Sequence, residues 1–186
     1  MKKYASFLLT MAIVLSTSIL QAQVYMTKAA SVQFSASTPL EKIEAKNSGS
    51  TIAYDARSGN LMANVSIKGF TFESALMQEH FNENYMESDR YPVASFKGKV
   101  DDPAALDLSK NGVYTVSCTG QLSMHGAAKD VKLKATFTVK DGKVSLTGTF
   151  AVRLSDYNIK VPGVVKGKIA EEAKVSVNAN LEQTKK

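Results

Sequence analysis

From Val32 onward, apolar and polar residues take turns along the chain. Val32, Phe34 and Ala36 alternate with Ser31, Gln33 and Ser35, and Ile52 and Tyr54 resume the pattern after Asn47-Ser48-Gly49, which reads as a turn. Leu61, Ala63, Val65 and Ile67 follow a second turn at Ser58-Gly59-Asn60. Ala94, Phe96, Gly98 and Val100 make another strand; Tyr114, Val116, Cys118, Gly120, Leu122 and Met124 make a long one. Val131, Leu133, Ala135, Phe137 and Val139 lead into Asp141-Gly142, a two-residue hairpin signal. Val144, Leu146, Gly148, Phe150 and Val152 come next, and Val175, Val177, Ala179 and Leu181 form the last segment. Period two means one buried and one wet face, the habit of antiparallel sheets. A sheet of about eight strands must close on itself or pack on a second sheet. Short connections favour an all-β, antiparallel up-and-down barrel over a sandwich.

One segment breaks the rule. Met77, Phe81 and Tyr85 fall at i, i+4 and i+8, with Leu76 beside them, so Ser74 to about Ser88 reads as a short amphipathic helix. Ser74 suits its N-cap, and Pro92 returns the chain to extended form at Tyr91. The apolar stripe must face the sheet, and one mouth of the barrel is the natural place.

Composition changes this picture at the N-terminus. Met1-Lys2-Lys3, the apolar run Phe7 to Leu20 and the ending Leu20-Gln21-Ala22 read as a secretory signal spanning 1–22. The mature chain would begin at Gln23, and 23–186 has the length of one domain. The expected address is periplasmic or secreted. Losing Lys2 and Lys3 lowers the net charge from +6 to +4, because the leader holds no acid. The remaining lysines are scattered, which gives no nucleic-acid footprint, and no integral membrane segment is expected after the leader. Cys118 is the single cysteine, so no intramolecular disulfide can form; it reads as a small buried side chain.

Candidate chemistry is sparse. Glu79, His80 and Glu83 share a helical turn, but a closed metal site needs more ligands and His125 is far away in sequence. His80 therefore reads as a structural residue whose ring hydrogen-bonds near the rim. Neither a nucleophile elbow nor a glycine-rich phosphate loop is present. Glu83, Glu87 and Asp89 read as a solvated face. The expectation is a protein without catalytic residues, metal or cofactor.

The segments Tyr91–Gly98 ("YPVASFKG"), Tyr114–Leu133 ("YTVSCTGQLSMHGAAKDVKL") and Leu154–Pro162 ("LSDYNIKVP"), together with the helix lead Phe72–Leu76–His80–Phe81, resemble the YceI-like family in order. The resemblance covers nearly all of the mature chain. It implies a lipocalin-like barrel, partly closed by a helix, that holds a polyisoprenoid or similar lipid chain. In the last of these segments, Asp156 and Tyr157 read as a structural corner; the functional alternative has Asp156 bonding a turn backbone and Tyr157 presenting its hydroxyl at the rim.

The expected ligand-binding residues are Phe34, Leu61, Val65, Met77, Phe81, Tyr85, Phe96, Tyr114, Val116, Leu122, Leu133, Phe137, Leu146 and Phe150. The pattern alone is equally compatible with a core filled by these side chains and with a tunnel between them. A solid barrel would be an interaction module. A tunnel would be a carrier, because ten buried methylenes give roughly 8 kcal/mol gross. Two further readings are open: an outer-membrane barrel, disfavoured by Lys132, Lys134 and Lys140 on the wet face, and an enzyme acting on a bound lipid through His80 or Tyr157. Oligomeric state is not legible.

Overall fold

The computed structural model describes residues 23–184; the segment read as a leader lies outside the described residues. Eight long strands carry the alternation: β1 (Val24–Ser35), β2 (Glu44–Asp55), β3 (Asn60–Ser66), β5 (Val93–Val100), β6 (Gly112–Met124), β7 (Ala127–Lys140), β8 (Lys143–Arg153) and β9 (Glu172–Gln183). The short β4 (Thr71–Phe72) pairs with the start of β2. Every pairing in the barrel is antiparallel, and each long strand lies beside its neighbours in sequence. β1 pairs with both β2 and β9, which closes the ring. Closure removes the free edges that an open sheet would offer to other chains.

One element differs from the pattern read in the sequence. Asn47-Ser48-Gly49 is no turn: β2 runs straight through it. Against β1, the register slips twice, once between Thr27 and Ala30 and once between Ala30 and Val32. The extra residue sits on β1 in the first slip and on β2 in the second, so the two bulges compensate. The Asn47 side chain is buried; it donates to the Ser66 carbonyl (2.8 Å) and accepts from Gly49 N–H (2.8 Å) and the Ser50 hydroxyl (3.2 Å). A turn-forming tripeptide thus serves as a bulge, which bends the strand and aims its polar side chain inward at a satisfied position. On β5 and β6, Gly98 and Gly120 are cross-strand partners. A Cβ on Gly120 would strike the Gly98 backbone, and one on Gly98 would meet the Phe96 ring. The pair is a tight corner over which Phe96 folds.

The barrel is unevenly filled. At the end bearing the Asp141-Gly142 hairpin, Tyr54, Val100, Leu106, Phe137, Val139, Val144 and Leu181 are all buried, and Tyr54 and Phe137 meet with ring centroids 5.1 Å apart. This half is solid. In the other half, the inward-facing Phe34, Val65, Leu133, Phe150, Val175 and Val177 are only partly buried, because they line a void. The two alternatives that the pattern left open, a filled core and a hollow, are therefore each found in one half of the barrel. Outward positions carry Lys97, Lys99, Thr119, Lys132, Lys134, Thr147, Thr149 and Lys174, unlike the apolar band of a membrane-spanning barrel. No described helix is long and apolar enough to cross a membrane.

Burial pushes the Tyr54 phenol up to about 12 and the Cys118 thiol up to about 11. Both groups are neutral in the fold, and their ordinary values are 10.0 and 9.0. The unfolded chain releases these protons first. The stability they contribute is therefore complete below pH 9 and is lost as pH rises through 11 to 12. Urea midpoints are expected to fall steadily over that window, and Cys118→Ala should remove the earlier part of the fall. Gly120→Ala should lower stability by about 1–3 kcal/mol in the same assay, through overpacking against Gly98.

Candidate ligand-binding cavity

The void is an apolar cavity of about 200 Å³. Its wall takes residues from all eight long strands, and many are small: Ala63, Ala94, Ala135, Gly148 and Ala173 alternate with Val32, Leu122, Leu146 and Val152. The two polar residues at its edge, Ser95 and Lys134, follow the outward phase of their strands. Cys118 is buried in the wall, and its raised value keeps it a thiol rather than a nucleophilic thiolate at neutral pH.

Of the residues expected to hold a ligand, Phe34, Leu61, Val65, Phe81, Phe96, Leu122, Leu133, Leu146 and Phe150 line this cavity. Five do not. Val116 and Phe137 are buried, and Phe137 packs in the filled half against Tyr54. Tyr114 lies near the closed end and donates its hydroxyl to the Lys110 carbonyl (3.1 Å). Met77, on the α-helical turn before Phe81, does not reach the cavity, and Tyr85 misses it for a reason that lies in the helix.

That helix is two helices in series. Ser74 caps α1 (Ala75–His80), its hydroxyl accepting from Met77 N–H at 3.4 Å. A π-helical turn follows at Phe81–Tyr85, closed by Met86 N–H donating to the Phe81 carbonyl at 2.8 Å. A π turn spans five residues where an α turn spans four. The stripe read as 77, 81, 85 is thereby re-indexed after Phe81, so Met86 enters the cavity and Tyr85 packs beside it. Leu76, expected beside the stripe, is 59% exposed on the outer side.

Phe81 anchors this lid. Its ring stacks on Phe34 (5.4 Å, 23°) and meets Phe70 (5.7 Å) and Phe72 (5.0 Å). Phe34 also meets Phe70 and Phe72 edge-on. Such pairs add about 0.5–1.5 kcal/mol each beyond area burial, so the lid is pinned to β1, β4 and the turn before β4 by one side chain.

A polar latch holds the opposite side. His125 and Gly126 form the two-residue turn between β6 and β7, and His125 is buried at φ 47. Its Nδ1–H donates to the Tyr157 carbonyl at 3.0 Å, because a carbonyl can only accept. Nε2 faces Glu87 Oε1 at 3.2 Å and makes an ion pair there when the ring is protonated. Tyr91 packs edge-on against the ring, and Arg90 reaches Glu87 at 3.7 Å. One imidazole thus ties the lid to the 3-10 turn Leu154–Tyr157 that follows β8. Glu87 (φ 43) and Asn158 (φ 59), which flank these contacts, are left-handed as well. Three of the four non-glycine residues with positive φ among the described residues meet here, a concentration of backbone strain of the kind found at clamps.

The sequence reading is corrected at three points in this region. His80 is exposed, and among the described residues the bonded rim histidine is His125. Tyr157 is buried, its phenol pushed up by burial, and it offers its carbonyl rather than its hydroxyl. Asp156 is exposed. Phe70, Leu154 and Ile159 line the cavity from turns just beyond strand ends, where no periodicity marks them, and Ile67, the last residue of the alternation read from Leu61, lines it from the turn after β3.

A closed up-and-down barrel with one solid end, one latched lid and an apolar hollow between them defines a lipocalin-like protein. The chain belongs to the YceI-like domain family, whose profile matches residues 22–181. It is similar to a polyisoprenoid-binding domain from Saccharophagus degradans implicated in plant cell wall breakdown, with TM-score 0.76 and 12% identity over 88% of this chain and 99% of that one. BcnA of Burkholderia cenocepacia is similar too, with TM-score 0.67 and 14% identity over 83% and 96%. A UPF0312 protein of Pseudomonas putida is 29% identical over 126 residues, 64% of this chain. The aligned part spans only 57% of that relative's length.

Replacing His125 with Ala should free both lid segments together. Amide exchange in 82–91 and 154–159 is expected to quicken by about tenfold, equivalent to about 1.4 kcal/mol of opening. The distant Asp141-Gly142 hairpin should be unchanged.

Proposed function

We propose that this chain is a periplasmic or secreted carrier that takes the apolar chain of a lipid, of the polyisoprenoid class or similar, into the half-barrel cavity. It acts as a binding protein and not an enzyme. The observation that carries the reading is the cavity itself: a hollow among Leu, Val, Ala and Phe side chains, in a barrel of a size that side chains can just fill. The leader-like N-terminus supports the address, and the polyisoprenoid-binding domain among the similar structures supports the ligand class.

The energetics are adequate. Each methylene moved from water into such a wall contributes about 0.8 kcal/mol, so a chain segment of ten contributes roughly 8 kcal/mol gross. Ordering the chain and losing its free motion removes several kcal/mol. Shape and apolarity suffice, which is why no polar recognition motif is needed inside.

Size limits the guest. An engineered apolar cavity of about 150 Å³ holds benzene, and drug-sized ligands occupy about 300–1,000 Å³. At about 200 Å³ the resting cavity accepts a slender chain segment and not a fused ring system. Met86 and Met124, both in the wall near the lid, are the side chains best able to move aside.

Native mass spectrometry of protein purified through its own export route should show a mass above the bare chain, with extractable lipid. Ala63→Phe with Ala94→Phe should fill the hollow and weaken uptake of a fluorescent polyene lipid by about tenfold or more, about 1.4 kcal/mol, with an unchanged circular dichroism spectrum. A wild-type protein that carries no lipid and takes up none would overturn the carrier reading.

A further inference from the structure

The hydrogen-bonded ladder of the barrel wall is not continuous all the way round; past its end the 3-10 turn Leu154–Tyr157 packs against β7. The β7–β8 ladder runs from Lys140–Lys143 to Ala135–Gly148 and stops. Beyond that pair, β7 stays with β6 as far as Ala127, and β8 stays with β9 as far as Arg153. Among the described residues, no backbone hydrogen bond joins Ala127–Lys134 to Thr149–Arg153. The seam begins at Gly148, an inward position without a side chain, where an added Cβ would meet only the Lys134 carbonyl, at 3.3 Å.

Outside this point lies a second concavity, of about 650 Å³, on the outer face of the sheet. It shares Lys134, Gly148 and Val177 with the inner cavity, so the two are separated by a single layer of wall at the glycine. The chemistry changes sharply across that layer. Inside, the side chains are apolar. Outside, hydroxyl and amide groups, including Thr136, Thr147, Thr149 and Asn178, share the lining with apolar surface such as Val177, and Lys46 and Lys134 are its charged groups, with no carboxylate. Neither lysine belongs to an ion pair among the described residues.

We infer that the β7–β8 seam at Gly148 is the portal of the barrel, through which a single-chain lipid threads its tail into the cavity while its anionic head group stays in the outer groove against Lys134, with Lys46, across β8, β9 and β1 on the far rim, adding to the positive field. The inference rests on the carrier reading and adds to it the portal and the head-group chemistry. Two physical arguments support it. The cavity offers no polar side chain to a head group, and burying a charge there without partners is prohibitive. The hollow is also too short on volume to enclose a long chain, so part of the ligand must lie outside. The groove is a polar space continuous with the cavity wall, and its only charges have the sign that holds a carboxylate or a phosphate.

The test uses full-length mature protein and four probes: cis-parinaric acid, its methyl ester, farnesyl monophosphate and farnesol. The wild type is expected to prefer the acid to the ester, and the monophosphate to the alcohol, each by about fivefold or more, a preference that weakens with salt. The larger of the two preferences tells whether carboxylate or phosphate is the better head. Lys46→Gln with Lys134→Gln should abolish both preferences and leave ester and farnesol binding unchanged. Gly148→Val should block the neck and slow loading of every probe. If that variant is misfolded, Lys132→Cys with Ala151→Cys in a Cys118→Ala background, joined by a reducible thiol linker, serves instead. Loading should slow on cross-linking and recover on reduction. Equal binding of charged and neutral heads by the wild type, or unchanged loading with the seam blocked, would overturn the portal while leaving the carrier intact. No uptake of any probe by the wild type would instead sink the carrier reading on which this rests.

Discussion

An eight-stranded ring has an interior that side chains can just fill, so the contents of this barrel are set by residue size, layer by layer. Where Tyr54, Phe137, Leu106 and Leu181 converge, the volume is used up. Where Ala63, Ala94, Ala135, Gly148 and Ala173 face the axis, the same circumference leaves a hollow. The change from large to small inward residues partway up the strands needs no special backbone device. It makes the lower half a foundation and the upper half a container, built from the same eight strands.

The container then needs a roof, and the roof is held by two unlike contacts. On one side Phe81 sits among Phe34, Phe70 and Phe72. This contact is apolar, tolerant of sliding and continuous with the cavity wall. On the other side His125 joins Glu87 and the Tyr157 carbonyl. This contact is directional and concentrated in three left-handed residues. A greasy hinge and a polar catch have different sensitivities: the first depends on apolar contact area, and the second on hydrogen-bond geometry.

Much of this was legible in the sequence. The strands announced themselves by period two, the hairpin by Asp141-Gly142, the helix start by Ser74, and nine of the fourteen expected ligand contacts line the cavity because strand phase alone sets which way a side chain points. The remainder was hidden for identifiable reasons. Asn47-Ser48-Gly49 has turn composition, but a bulge uses the same residues. Phe137 obeys the inward phase, yet phase says nothing about height along the axis, and it falls in the filled half against Tyr54. The His125 latch brings together residues 87, 125 and 157, a proximity that no local pattern encodes.

The π turn in the lid carries a consequence for how such proteins diversify. Helical segments that differ by one residue in a single turn present faces rotated by about 100°. Deleting one residue between Phe81 and Met86 would restore α geometry and offer the contents a neighbour other than the Met86 thioether, all without altering any strand of the barrel. The roof can thus be retuned by indels while the walls remain under a fixed pattern.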